Sequence, residues 1–216
     1  MFAVIDLETT GKDHWRNEIL TIACILTDPN FNELETFTAS IKPEESTWDE
    51  EAEKVHGISR KQAKAFDNNL DVLDRFCDVL GSYGEGRNWS FVCHALPFRS
   101  RIDLFDYNFI FAWFWKKDKR EDLYRFFPEE LIYSTIHKKR NHATTQYQIE
   151  NQKLSTWASK LDITFEHHTA LDDAKVCLEV LKYQKGNQGR FDAKNIQEEK
   201  EAQKWKMKTG EFLLNA

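Results

Sequence analysis

The sequence predicts an α/β fold: a mixed five-stranded sheet flanked by helices, with a charged C-terminal appendage. Three observations carry that expectation. Three β-rich runs follow one another at the start of the chain, joined by segments short enough for hairpins, so the early strands can be antiparallel. Two shorter apolar runs come later, separated by segments of helical period, the pattern of strands that return in parallel through helices. After Gly186 the chain turns polar and charged and lacks the apolar density for a domain of its own. The 216 residues, 41% hydrophobic and 13% aromatic, suit one domain over 1–185 and a partly helical tail over 186–216, and exclude wholesale disorder.

Residues 2–7 read as the first strand, Ile19 to Thr27 as the second and Leu34 to Ile41 as the third, with Pro43 ending it. WDEEAEKVHGIS is a short helix stopped at Gly57. Asn69 to Leu80 is an amphipathic helix with Leu70, Leu73, Phe76, Cys77 and Leu80 on one face and Gly81 closing it. WSFVCH at 89–94 is a buried strand. Ile102 to Trp115 reads as a helix with Ile102, Phe105, Phe109 and Trp113 toward the core, and Leu131 to Tyr133 as a short strand. Lys153 to Leu161 and Thr169 to Tyr183 are the last helices, the latter with Ala170, Ala174, Cys177, Leu178 and Leu181 in register.

A formal charge of -6 does not suggest a general polyanion binder, although acids gathered at a metal site can coexist with a local basic track. Cys24, Cys77, Cys93 and Cys177 form no C-x-x-C pair, and three lie inside apolar runs, so they read as reduced core residues of a cytoplasmic protein. No membrane span is expected, because the apolar stretch from Phe109 to Trp115 is too short to cross a bilayer.

Two places hold carboxylates where an ordinary fold would not. In the first strand Asp6 and Glu8 share a face, because side chains alternate along a strand. Like charges that close repel, and burying them without partners is costly. Either both face water on an edge strand or a divalent cation sits between them. The second place is HHTALDDAKVCLEVL. Thr169 followed by Asp172 before an apolar run has the form of a capping box. With Thr169 at the N-cap, His168 is N′ and Asp173 is N4, positions that often touch across a helix start. An imidazole and a carboxylate are therefore expected side by side, unless the pair is simply a solvated helix end.

Together these motifs resemble the DEDDh branch of the DnaQ-like 3′–5′ exonucleases, of the RNase H-like superfamily. VIDLETTG is similar to the first motif and EEAEKVHGIS to an EA-x-x-VHGI segment. SFVCHALPFRSRIDLFDYNFI resembles the second motif, and QKLSTWASKLDI followed by HHTALDDA the third, over roughly residues 2–183. The second motif departs from the pattern: Ala95 follows His94, Arg99 follows Phe98, and the best Phe-Asp match is Phe105-Asp106 after an insertion. Asp106 is preferred as the motif's acid, with Asp103 as the competitor.

The resemblance implies a nuclease using two Mg²⁺ ions, with Mn²⁺ able to substitute, held by Asp6, Glu8, Asp106 and Asp173, and His168 as general base. It implies that Leu7, the backbone around Thr9 and Thr10, Glu51, Val55 and His56 grip the terminal nucleotide. The expected partner is nucleic acid with a free 3′ end, single-stranded DNA ahead of RNA. A partner-binding module with weakened catalysis is the alternative from another class. KKDKR at 116–120 and HKKRNH at 137–142 are candidate phosphate tracks, and Trp15, Trp48 and Phe98 candidate stacking residues. The tail from Asn187 is a candidate for docking a polymerase or a second copy.

Overall fold

The computed structural model describes residues 1–44, 47–83, 88–96, 104–136, 147–165 and 168–186. Strands β1 (Phe2–Thr9), β2 (Ile19–Thr27) and β3 (Glu33–Ser40) form an antiparallel meander, and β4 (Ser90–Cys93) and β5 (Ile132–Ser134) add in parallel, giving the order β3-β2-β1-β4-β5. The helices are α1 (Glu50–His56), α2 (Arg60–Ala63), α3 (Asn69–Ser82), α4 (Phe105–Lys116), α5 (Arg120–Phe126), α6 (Leu154–Leu161) and α7 over 170–186. The chain divides into two units, Met1–Val180 and Leu181–Ala216, and of the second the structure describes only helical residues 181–186. No helix among the described residues is long and apolar enough to cross a membrane.

Alternation along β1 sets the two faces of the sheet. Ala3, Ile5 and Leu7 join the main core with Ile22, Cys24 and Leu26 of β2, Phe37 of β3 and the buried faces of α3 and α4. Phe76 sits at the centre, its ring 5.2 Å from Phe37 and within 6.4 Å of Trp113, Phe114 and Phe127. Burying so many rings in one cluster is the largest single source of stability such a domain can draw on. Cys24, Cys93 and Cys177 are buried, Cys77 is partly so, and all four are free thiols.

Three local expectations need correction. Leu70 and Phe105 were placed toward the core by helical period, but both are exposed. Each lies in the first turn of its helix. In α3 the inward place is taken by Asn69, whose Oδ1 accepts the Trp113 indole N–H at 2.7 Å, since a buried indole needs an acceptor. Gly81 does not end α3, which continues to Ser82. Gly57 does stop α1, in the left-handed conformation at φ 73°. Ile102, Phe98 and HKKRNH lie outside the described residues.

The loop after β1 is pinned by one side chain. Asn17 is buried; its Nδ2 donates to the carbonyls of Thr10 and Thr47 and to Thr47 Oγ1, and its Oδ1 accepts from the Asp13 N–H. The Thr10 carbonyl also accepts from Asp49 N–H at 2.8 Å, and Asp49 caps α1. A single amide thus fastens the end of β1 to the start of α1. A Cβ at Gly11 would stand 2.6 Å from Asn17 Oδ1. Gly11→Ala should therefore expel that amide and destabilise the fold by about 1–3 kcal/mol, the cost of buried polar groups left unpaired. Urea unfolding with an unchanged midpoint would contradict this role for Asn17.

Candidate active site

The site is built where β1 and β4 part. Their pairing ends at Val4 with Val92, so Ile5 to Thr9 are paired only on the β2 side. A register shift between Glu8 and Thr9 bends the strand at the same point, and bulges of this kind re-aim side chains. Asp6 and Glu8 project from the face opposite Ala3, Ile5 and Leu7. The crevice beyond the carboxyl ends of parallel strands is where α/β sheets commonly receive ligands.

Asp106 enters from α4. It lies in the first turn, is buried, and sits in the field of Asp6. Its own N–H, the Cys93 thiol and the Leu7 N–H favour its charged form. The N-cap of α4 is Leu104, with no side-chain cap bond; the competing acid Asp103 lies outside the described residues. A carboxylate so near the helix start also meets the positive end of the helix dipole.

Asp173 and His168 arrive with α7. Thr169 Oγ1 accepts from the Asp172 N–H at 3.4 Å, and its carbonyl accepts from Asp173 N–H, as expected for an N-cap. His168 just before it is exposed and has φ 66°, a left-handed conformation that carries a backbone cost for any residue with a Cβ. One ligand atom each from Glu8, His168 and Asp173 lies within 4.8 Å of the others. That spacing suits a single divalent ion, and carboxylate oxygens suit a hard one.

The electrostatics fit the same reading. Burial pushes Asp6 well above the ordinary carboxylate range, and Asp106, Asp173 and Glu8 push it further. Glu8 is pushed from 4.5 up to about 8 by burial, then by Asp173 and Asp106. Asp106 rises from 3.8 to about 7, chiefly through burial, against the hydrogen bonds it accepts. Asp6, Glu8 and Asp106, buried together and in the field of Asp173, form a site lacking positive charge.

Among the described residues three hollows touch the acids; one, of about 610 Å³, reaches Glu8, His56 and His168 from the β2–β3 side, and the other two flank the strand end. One of about 480 Å³ is lined by Asp6, His94, Lys153, Leu154, Ser155, His168 and Asp173. The other, of about 370 Å³, is lined by Leu7, Glu8, Thr9, Gly11, Lys12, Glu51, Ala52, Val55, His56 and Phe105. Of the expected nucleotide-gripping residues, Leu7, Thr9, Glu51, Val55 and His56 thus share one wall. Leu7 is mostly buried and offers only an edge, whereas Val55 is exposed. Glu51 pairs with Lys54 at 2.6 Å. Thr10 stands apart: it is 1% exposed, and its N–H, carbonyl and hydroxyl are engaged by Glu18, by Asp49 and Asn17, and by the Glu18 N–H. Thr10 shapes the wall from behind.

Sequence reasoning missed Cys93, Lys12, Lys153 and Phe105 as members of the site. Cys93 was legible only as a core residue, and its contact with Asp106 arises from the strand end and helix start meeting. Lys153 lies in the lead-in to the third motif, where it reads only as the residue before an apolar helix run. Trp48, a stacking candidate, is tied by its indole to Glu53 at 2.6 Å.

The raised carboxylates predict a pH signature in metal-free protein. Glu8 binds a proton more tightly when folded than when unfolded, so it costs stability as pH rises from about 4.5 to about 8. In chelator, Glu8→Gln should match wild type near pH 4 and unfold at increasingly higher temperature than wild type up to about pH 8. Parallel melting curves across that window would show that Glu8 is not held among like charges.

The exonuclease family model RNase_T matches residues 3–181. No curated protein sequence matches significantly. Among solved structures, Escherichia coli exonuclease I in complex with a dT13 oligonucleotide is similar at 17% identity and a TM-score of 0.66, over 89% of this chain and 42% of that one. Exonuclease I from Methylocaldum szegediense is similar at 17% identity and 0.64, over 86% and 40%. A zinc-bound E. coli exonuclease I–single-stranded DNA complex gives 17% and 0.67, over 89% and 42%. This chain therefore spans about two fifths of those proteins, and the shared architecture is the RNase H-like one. With the family model covering β1 through the greater part of α7, the chain belongs to the RNase T exonuclease family, of DnaQ-like, RNase H-like enzymes.

Proposed function

We propose that this chain removes nucleotides from the 3′ end of nucleic acid, single-stranded DNA foremost, releasing nucleoside 5′-monophosphates. The observation that carries the reading is the convergence of Asp6, Glu8, Asp106 and Asp173 beside His168 in a member of an exonuclease family. Asp6, Glu8, Asp106 and Asp173 would hold two Mg²⁺ ions, or Mn²⁺ in their place; Glu8 and Asp173 are the pair beside His168. Bound there, divalent ions supply the positive charge that phosphodiester cleavage needs on its attacking and leaving oxygens.

The protein groups do the remainder. Cys93 S–H and Leu7 N–H orient the Asp106 carboxylate. His168, exposed at the cavity edge and within 4.8 Å of Glu8 and Asp173, takes the proton from the attacking water, since a neutral imidazole accepts protons near neutrality. Val55, Leu7 and Phe105 give the neighbouring hollow an apolar wall for the terminal base. Glu51 and His56 on the same wall offer polar groups to the sugar. We assign the tail from Asn187 to docking a polymerase or a second copy; a chain ending at residue 186 with the same number of copies per particle in solution and unchanged activity removes that role.

The deciding experiment is a time course on 5′-labelled single-stranded DNA and RNA of equal length with Mg²⁺, Mn²⁺ or chelator. A ladder of shortening products, faster on DNA and lost in chelator, is expected. Faster loss of RNA assigns the enzyme to ribonucleotide ends, and no ladder in either metal overturns the reading. His168→Ala should lower kcat by about 10²–10⁴-fold while oligonucleotide affinity survives. An unchanged kcat takes His168 out of the mechanism.

A further inference from the structure

Helix α4 does not bury all of its rings. Phe105 and Trp115 are 39% and 42% exposed, and Trp15, in the loop beside them, is 50% exposed. They belong to one continuous series. Phe105 packs on Phe109 with ring centroids 4.9 Å apart, and Phe109 meets His14 at 6.2 Å. His14 adjoins Trp15 at 5.4 Å, and Trp15 meets Phe111 edge-on at 6.3 Å. Phe111 stacks on Trp115 at 5.5 Å and 24°, and the Arg120 guanidinium lies 4.4 Å over the Trp115 ring.

The series starts on the wall of the 370 Å³ hollow, at Phe105, and ends ten residues along the helix, about 15 Å away. That is a span of a few nucleotides. Positive charge accompanies it. Lys12 and Lys116 are exposed and have no carboxylate partner among the described residues; the Lys116 ammonium lies 3.4 Å from the His14 carbonyl. Arg120 is shared between Trp115 and Asp118, 3.1 Å away. Exposed rings interleaved with cations are what unpaired nucleic acid needs: a π-face for each base and charge for each phosphate.

We infer that Trp15, Phe111 and Trp115, with Arg120, Lys12 and Lys116, form a stacking track for the unpaired bases upstream of the terminal nucleotide. The inference rests on the exonuclease reading of the adjacent site. It identifies the ligand as an unpaired single strand several nucleotides long, held mainly by stacking, since every base offers a face to a ring. Bases within a duplex stack on each other and cannot use the track.

The test compares a thymidine dodecamer with a thymidine dinucleotide, which is too short to reach Trp115. In the full chain with Mn²⁺, Trp15→Ala and Trp115→Ala should each lower kcat/KM on the dodecamer by about five- to a hundredfold, the range for losing one stacked base. On the dinucleotide both should stay within about twofold of wild type. Trp115→Phe should restore most of the loss. Equal losses on both lengths, or none on the dodecamer, overturn the track. If wild type cleaves neither, the exonuclease reading fails on its own. Fluorescence anisotropy of labelled dodecamer then reads the track independently: an affinity that drops in both variants supports it, and an unchanged one overturns it. A changed mass in solution with unchanged oligonucleotide affinity would instead assign the ridge to self-association, and overturns it too.

Discussion

Four carboxylates that repel one another lie at the centre of this protein, and the surrounding structure is what keeps them there. Asp6 and Glu8 stand on the central strand β1, just past the point where its pairing with β4 ends. Burial there keeps water from screening them fully. The fold lowers the cost locally: the Leu7 N–H favours the charged forms of Asp6 and Asp106, and the Cys93 thiol favours that of Asp106. These donors do not cancel the repulsion, because Glu8 and Asp106 remain far above their ordinary values. Such a site holds protons or cations. Conformations that spread the acids would be more stable alone, so the rigid core under β1, with Phe76 at its middle, is a condition for the chemistry and not only for the fold.

Where local rules act alone, the sequence was legible. Strand alternation put Asp6 and Glu8 together, and the capping pattern put His168 next to Asp173, because each depends on a few consecutive residues. The antiparallel start and parallel return of the sheet followed from connection lengths. Legibility fell where the answer depended on distant packing. Helical period placed Phe105 with Phe109, yet a first-turn residue lies at the end of the buried face, and here it turns to the hollow. Asn69 is buried only because Trp113, forty-four residues away, needs an acceptor. Cys93 read as core until α4 brought a carboxylate to it. Thr10 was read with Thr9 as a substrate contact, but Asn17, Glu18 and Asp49 consume its polar groups.

The acidic site and the aromatic ridge also explain how a chain with net charge -6 could hold a polyanion. Four of the 36 acidic side chains gather at the strand ends, where cations can neutralise them. The ridge relies on stacking, which a negative net charge does not oppose, and its few cations are placed beside rings and not spread over the surface. Stacking also tolerates sequence, because every base offers a π-face. A basic groove would bind more tightly but would also hold duplex, where the π-faces are already occupied.

Three histidines surround the acids, and their surroundings divide them by what each can do with a proton. His94 is locked: Nδ1 lies 2.6 Å from Thr135 Oγ1 and Nε2 lies 2.8 Å from the Gln152 carbonyl. Since a carbonyl only accepts, Nε2 carries the hydrogen and Nδ1 takes the threonine's. Burial holds this ring at about 4, well below the ordinary imidazole value, so it stays neutral and joins β4 to the segment before α6. His56 is half committed. Its Nδ1 accepts the Ile58 N–H at 3.0 Å, which leaves the hydrogen on Nε2, a buried atom with no hydrogen-bond partner among the described residues. Burial lowers its proton affinity, and His168 lowers it further. His56 is thus arranged as a neutral donor on the wall beside Glu8. His168 is the exposed ring, beside Glu8 and Asp173 and held out by a left-handed backbone. The proposed base is the exposed one of the three, within 4.8 Å of Glu8 and Asp173, whereas His94 and His56 each commit ring nitrogens to hydrogen bonds inside the fold.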